Sequence, residues 1–427
     1  MPNNKYFFEN DVLRYESYLN IFNESIFQEF DVQSKKINLI KKIGDLINGN
    51  KVNHSENQAA FHPKYRKDNS FCSSPSIKLK DYKNIVILGI GGSFEGPKLL
   101  IESLSKPSNQ KINHIFITGS DPYEFQEKVF SLNPKETMFI VSSKSFTTDE
   151  TLETFKDAVK WSGDMENFIA ITANKKEASK YGIKNILEFD REIGGRYSIW
   201  SDISMPALYG EQSLFNLDDF LRGGHQADLD LENNKDYLKF VKYLSYSDIW
   251  MNNHAGRHTR AVLSYSWKLR SLATYVQQLE MESLGKHPKI NSPYKHTGQI
   301  IFGGYGPTAQ HSYFQLLHQG TQSICADIIV SSEDTKSLAY AQAITQATLL
   351  SFGADDLLTN EEKINGNIPV NLFLLNKIDS FSLGYLIATW EHRTFITAGM
   401  LEINPFDQFG VSAGKIYTKK FLEGHEG

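Results

Sequence analysis

The run Tyr275-Val276-Gln277-Gln278-Leu279-Glu280-Met281-Glu282-Ser283-Leu284-Gly285-Lys286 reads as a helix closing on carboxylates, a Ser-x-Gly break and a lysine. A carboxylate at such a break is held by helical backbone yet reaches into a cleft, which makes Glu282 a candidate general base. A lone Glu at a helix end is ordinarily a solvated surface group. Its weight here comes from other segments that ask for the same small phosphorylated polyol.

Ser142-Ser143-Lys144-Ser145-Phe146-Thr147-Thr148-Asp149-Glu150-Thr151 sits between a predicted strand and a predicted helix, with Leu152, Phe155 and Val159 marking the helix face. Thr147 with Glu150 fits a capping box. Hydroxyls and one ammonium crowd a helix start, where amides and dipole favour an anion, so a phosphomonoester is the best-matched ligand. The plain alternative is a Ser/Thr-rich cap with a solvated Lys144. Leu88-Gly89-Ile90-Gly91-Gly92-Ser93-Phe94-Glu95-Gly96-Pro97 also follows a strand and leads into a helix. Its spacing is neither a dinucleotide fingerprint nor a P-loop, and a tight turn without a ligand is the alternative.

Gly194-Gly195-Arg196 gives a guanidinium room to point inward, where its permanent charge suits a developing oxyanion, or else a structural carboxylate. Gly303-Gly304-Tyr305-Gly306-Pro307-Thr308-Ala309-Gln310-His311 follows a strand and precedes a helix predicted over 312–319. His311 at that helix N-terminus would be held neutral and suited to moving a hydroxyl proton; a capping or core histidine is the alternative. Asn404-Pro405-Phe406-Asp407-Gln408-Phe409-Gly410 reads as a loop, and Lys415 begins or caps the last helix as either a proton-handling or a surface lysine. His254 and His258 are four apart without the zinc-protease pattern, and Glu391-His392-Arg393 interrupts an apolar helix as a polar interface.

The elements that must carry these groups alternate. Short apolar runs at 85–88, 114–118, 137–142 and 168–172 are separated by helical patterns, and a second cycle runs through 261–265, 299–302, 323–330 and 370–374. This rhythm predicts an α/β protein with two mainly parallel sheets. Residues 1–75 read as a helical extension, with a connecting loop over 48–80. The first α/β domain spans 76–235 and the second 236–400, joined by an irregular segment around 200–250. A long apolar helix over 383–403 precedes a loop and short helix in 401–427. The length of 427 residues suits two to three domains. The net charge of −5 argues against nucleic acid. No apolar run approaches a membrane span, no secretory signal is evident, and Cys72 and Cys325 read as reduced thiols, which together predict a cytoplasmic protein.

Taken in order, Gly-Ile-Gly-Gly-Ser at 89–93, Ser-Lys-Ser-Phe-Thr-Thr at 143–148, Gly-Gly-Arg-Tyr-Ser at 194–198, Met-Glu-Ser-x-Gly-Lys at 281–286 and Phe-Asp-Gln-x-Gly-Val-x-x-Gly-Lys at 406–415 resemble the glucose-6-phosphate isomerase (phosphoglucose isomerase) family. Gln310-His311 with the following Gln315–Gly320 adds a sixth match. The resemblance implies two sugar isomerase (SIS) domains, each a flavodoxin-like three-layer α/β/α sandwich. It also implies aldose–ketose interconversion in glycolysis and gluconeogenesis without metal or nucleotide cofactor. Residue by residue, it makes Glu282 the base, His311 the ring-opening histidine, Lys415 the lysine near the ring oxygen and Arg196 the enediolate-stabilising arginine. Ser143, Lys144, Ser145 and Thr148 match the phosphate loop; Gly92, Ser93, Gln278 and Gln408 match substrate contacts. A homodimer is implied, with the histidine reaching the neighbouring subunit's site. A broader phosphosugar isomerase that also accepts mannose 6-phosphate, and a non-catalytic sugar-phosphate-binding module, are the competing readings.

The chain departs from the family's pattern at 303–309, where Gly-Gly-Tyr-Gly-Pro-Thr-Ala replaces Gly-Glu-Pro-Gly-Thr-Asn-Gly, so a changed loop shape is expected. Ser145 stands where Thr is usual and Leu284 where Asn is common. The short stretch 416–427 implies a reduced C-terminal arm.

Overall fold

The computed structural model describes residues 6–19, 21–68, 82–109, 111–354, 356 and 359–425; Cys72 lies outside them. The chain opens with β1 (Phe7–Glu9) and β2 (Leu13–Tyr18). The first sheet follows with β3 (Asn84–Leu88), β4 (Asn113–Ile117), β5 (Thr137–Ser142), β6 (Phe168–Thr172) and β7 (Asn185–Glu188). Its order is β4-β3-β5-β6-β7, parallel throughout. That is the flavodoxin-like order, whose switch point falls between β3 and β5. The second sheet adds β8 (Thr259–Ser264), β9 (Ile300–Tyr305), β10 (Ile324–Ser331) and β11 (Val370–Leu375). These four pair in parallel as β9-β8-β10-β11; β2 then adds antiparallel to β11, and β1, antiparallel to β2, forms the edge.

The strands are buried on both sides because helices cover both faces. Val86, Leu88, Phe139 and Val141 of the first sheet pack with Phe125, Phe155 and Ala158 of its outer helices. Ala261, Leu263, Ile328 and Leu372 of the second pack with Leu317, Ala343 and Leu350. Alternate residues (Ile85, Ile87 and Ile140; Val262, Ile329 and Phe373) turn inward to one shared core between the sheets. The period of two along each strand thus builds a layered α/β/α arrangement around common central helices.

Three regions differ from the sequence reading. Residues 7–9 and 13–18 are strands, not helix: Leu13, Tyr15 and Ser17 are buried in alternation while Arg14 is exposed. The 48–80 stretch contains a short helix, His62–Lys67, whose Arg66 is fully buried. The segment around 200–250 is regular: 3-10 turns at Gly195–Trp200 and Asp202–Leu208 lead into helices Leu217–Asn233 and Lys235–Asn253. The apolar helix near the end spans Ser380–Leu401.

Candidate active site

At the switch point, β3 runs into the Gly89–Ser93 turn and β5 into the 143–148 loop. The helix Gly92–Ser103 begins at the first, the helix Asp149–Ser162 just after the second. Both starts face a cleft of about 650 Å3 between the two sheets. Gly92 packs against the Gly195–Arg196 turn so closely that a Cβ would lie 1.8 Å from the Gly195 carbonyl oxygen. No other residue fits there, and the contact fuses the first turn to the Arg196 segment.

The 143–148 loop is fixed before any ligand arrives. The Ser143 and Thr148 hydroxyls lie 3.0 Å apart, and the Ser143 Oγ accepts the Phe146 N–H at 3.1 Å. Phe146 sits at φ 54°, left-handed backbone, with its ring buried among core side chains. The Lys144 carbonyl accepts from the Ala173 N–H (3.0 Å) and the Thr172 hydroxyl (3.1 Å) at the end of β6. Burial lowers the Lys144 pKa; Arg196 and Arg191 act in the same direction, while Glu56 and Asp190 oppose them. A concentrated positive site of this kind gains from an arriving anion. The helix cap is Thr148 rather than Thr147, whose hydroxyl donates to Ser145 Oγ at 2.7 Å.

Across the cleft stands the helix Leu272–Leu284. Its orientation is set by Glu280, which is buried against Arg260 and accepts from Trp390 Nε1 at 3.0 Å. Two residues further is roughly 200° around the helix, so Glu282 faces the opening. Its Oε2 is 3.3 Å from Arg196 Nη1 and 3.4 Å from Gln278 Nε2.

Arg196 is only 3% exposed and every branch of its guanidinium is engaged. Nε donates to Ser283 Oγ (2.8 Å), Nη1 to Gln408 Oε1 (2.9 Å), and Nη2 to the carbonyls of Asp407 (3.0 Å) and Pro405. Ser283 is in turn 2.9 Å from the Tyr197 hydroxyl, and Tyr197 stacks on His62 with ring centres 4.6 Å apart. The arginine is therefore a rigid charge at the cleft floor, with one edge left toward Glu282.

The cleft is also lined by Ser93, Ser143, Lys144, Ser145, Thr148 and Lys415. One face offers hydroxyls, helix-start amides and an ammonium to a phosphate; the other offers a carboxylate beside a fixed guanidinium. A phosphoglucose isomerase family model matches residues 72–426. The chain belongs to the phosphoglucose isomerase family.

Among relatives, the glucose-6-phosphate isomerase of Legionella pneumophila (strain Paris) is 34% identical over 90% of this chain and 83% of its own length. That of Shewanella oneidensis is 36% identical over 79% of this chain and 68% of its own. A solved glucose-6-phosphate isomerase from Chlamydia trachomatis superposes with a TM-score of 0.85 at 23% identity, covering 98% of this chain and 90% of that one. A hypothetical protein from Thermus thermophilus superposes at 0.73 with 20% identity, over 96% and 99%. At those identities the structural matches speak for the fold alone.

Two family-matched residues stand apart from the rest. His311 is exposed and does not line the cleft of its own chain. Nor does it start a helix: it follows the C-terminal end of the short helix Gly306–Gln310, its N–H bonded to the Thr308 carbonyl at 3.1 Å, and the next helix begins at Phe314. Pro307 in the first turn explains the shift, since Gly-Pro starts a helix there. Lys415 lies in the first turn of the exposed helix Ser412–His425 and reaches the cleft rim. Sequence reasoning missed Glu56, Gln58, Asn174 and Arg191, which also line the cleft. Of the histidines doubted as ligands, His254 stacks on Trp250 and His258 bonds the Asn252 side chain at 2.8 Å.

Proposed function

We propose that the protein interconverts glucose 6-phosphate and fructose 6-phosphate through a cis-enediolate, at the cleft between its two sheets. The observation that carries this reading is the pairing, in one cavity, of the 143–148 hydroxyl loop with the Glu282–Arg196 contact at 3.3 Å. The phosphate would take Ser143, Lys144, Ser145 and Thr148, with the Gly92–Ser93 amides and the Gln278 and Gln408 side chains bounding the sugar. Once the ring is open, Glu282 removes the proton from C2 and the electron pair passes to the C1 carbonyl oxygen. Arg196 lies beside the resulting negative charge and needs no reorganisation to meet it. The C2 hydroxyl proton passes to the O1 oxyanion as O2 becomes the carbonyl, and Glu282 returns the proton it took from C2 to C1, giving the ketose.

Ring opening needs a proton to leave O1 and another to reach O5, the work assigned to His311 and Lys415. The exposure of His311 outside its own cleft supports a homodimer in which each histidine completes the site of the second copy. The exposed Ile416, Tyr417 and Leu422 on the helix that carries Lys415 support the same assembly, because large apolar side chains at that density mark an interaction face. A cytoplasmic location fits a glycolytic isomerase, and among the described residues no helix is long and apolar enough to cross a membrane.

The test is direct. Purified protein given fructose 6-phosphate, coupled to glucose-6-phosphate dehydrogenase, should reduce NADP. Binding of sugar phosphate without turnover would replace the enzyme with a sensing module.

A further inference from the structure

Lys286 closes the motif that contains Glu282, yet it does not line the cleft. It borders a separate cavity of about 690 Å3 behind the base. Its side chain is 15% exposed, and its ammonium is spent on protein partners. It donates to the Glu282 carbonyl at 2.8 Å and to the Asp407 carbonyl, and lies 3.2 Å from Asp407 Oδ1. Its own carbonyl accepts from the Thr297 hydroxyl at 2.8 Å, which fixes its backbone.

The Glu282 helix ends at Leu284, and its last i+4 bond runs from the Gly285 N–H to the Met281 carbonyl, so the Glu282 carbonyl lies beyond the helical ladder. A cation at that end satisfies that carbonyl and complements the helix dipole. The second partner matters more. The Asp407 carbonyl also accepts from Arg196, and the next residue, Gln408, takes the other arm of the same guanidinium. The Asp407 carboxylate accepts from Ser55 (2.7 Å) and Asn404 (2.9 Å), tying in the segment that carries Glu56 and Gln58 to the cleft. One ammonium therefore joins the backbone of the base to the backbone that holds the arginine.

We propose that Lys286 is a positioning residue of the isomerase: by bonding the Glu282 and Asp407 carbonyls together it fixes the distance and angle between the base and the Arg196–Gln408 pair. It touches no substrate. It acts on the proton-transfer geometry and leaves the phosphate loop, which hangs from the other sheet, alone. The inference rests on the isomerase reading above.

Three variants test it in the coupled fructose 6-phosphate assay with thermal melts alongside. Lys286→Met keeps the stem and loses the donors; kcat should fall roughly 10–100-fold, the loss that follows from misplacing a reacting group by about 1 Å. KM should stay within about twofold, because uniform binding is untouched. Lys286→Arg restores charge and donors and should recover kcat to within roughly fivefold of wild type. Lys286→Gln, with a donor for one carbonyl only, should fall between the two and serves if the Met chain does not fold. An unchanged kcat in Lys286→Met, a KM that rises in step with the loss of kcat, or an Arg variant no better than Met would each overturn the proposal. An inactive wild type would overturn the isomerase reading and this one with it, whereas an active wild type with an indifferent Lys286→Met overturns this one alone.

Discussion

On the proposed mechanism the corner formed by Arg196 and Glu282 and the pair His311 and Lys415 would serve one reaction, and the two are built in opposite ways. Arg196 is enclosed, with every nitrogen bonded and Tyr197 and His62 stacked behind it. Glu282 is one-third exposed, but its helix is pinned from the back by Glu280 and Arg260. His311 and Lys415 are exposed, on a short helix end and on the first turn of a peripheral helix. The contrast matches what each must do. An enediolate is stabilised only by charge already in place, so its partner must not move. Groups that open a ring must reach a substrate that has first to enter, and they can come from elements assembled around the cleft afterwards.

The sharpest way to break this comparison is to disarm the rigid side. Glu282→Gln keeps the side chain's shape and should keep sugar-phosphate binding, but removes the proposed base. Turnover, and exchange of the C2 hydrogen with solvent, should drop by roughly 10²–10⁴-fold or more. Exchange at the wild-type rate, read by NMR in deuterated buffer, would take Glu282 out of the reaction. The peripheral side is tested next by mixing. His311→Ala and Glu282→Gln should each be nearly dead alone. If the histidine serves the second copy, unfolding and refolding them together should restore about a quarter of wild-type activity, since half the random dimers hold one intact site of two. Recovery no greater than the sum of the separate variants would return His311 to its own chain.

Much of this is legible in the sequence, and what is not has a common cause. The β5 and β6 runs are legible to their observed ends, because buried parallel strands are continuous apolar stretches bounded by glycine, asparagine or hydroxyl residues. Glycine positions are legible too, since close approach leaves one choice, as at Gly92 against Gly195. The β1–β2 pair is not, because its partner, β11, lies some 350 residues away, and Tyr15 is satisfied only there, by the Asn371 side chain at 2.6 Å. Glu56 and Gln58 carry no local signature either; they line the cleft beside Ser55, which is tied to Asp407, and such placement is visible only once the chain has folded. Glu391-His392-Arg393, which reads as a polar interface, is fully buried. His392 lies 2.8 Å from Asp228, Arg393 bonds Asp248 and Asp327, and Glu391 meets Arg66 and Trp200.

A smaller effect is expected from the anion loop. Replacing Ser143, Ser145 and Thr148 together by Ala removes three hydroxyls but leaves Lys144 and the helix-start amides. At about 1 kcal/mol for each net hydrogen bond, KM should rise by one to two orders of magnitude, with kcat changed much less. An unchanged KM would mean that the phosphate sits elsewhere and that the cleft's two faces have been assigned the wrong way round.

The smallest effect concerns the framework behind Arg196. Burial pushes the Glu391 carboxyl up from 4.5 to about 7, with Arg66 and the Trp200 N–H pulling against it. The charged and titratable groups facing it include Arg66, Asp228, His62, Tyr197 and Tyr275, and burial keeps His62 neutral well below its usual range. Because the folded chain holds this proton more tightly than the unfolded one, the Glu391 contribution is fully present below about pH 4.5 and is lost as the pH rises to about 7. Its size is on the order of 2–4 kcal/mol, worth a few degrees of melting temperature in a chain of this length. Asp228 works the other way: burial alone would raise its carboxyl, but Arg66 and the His392 hydrogen bond outweigh it, so its stabilisation is lost only below the usual carboxylate range. Glu391→Gln cannot titrate, and it turns an amide toward the Arg66 or Trp200 donor. Its melting temperature should therefore be lower than wild type's at pH 5, and its fall between pH 5 and pH 7 should be shallower. Equal slopes for the two chains would show that Glu391 stays ionised throughout. The buried scaffold behind the arginine would then be held by permanent charge alone, and the contrast with the adaptable periphery would be steeper still.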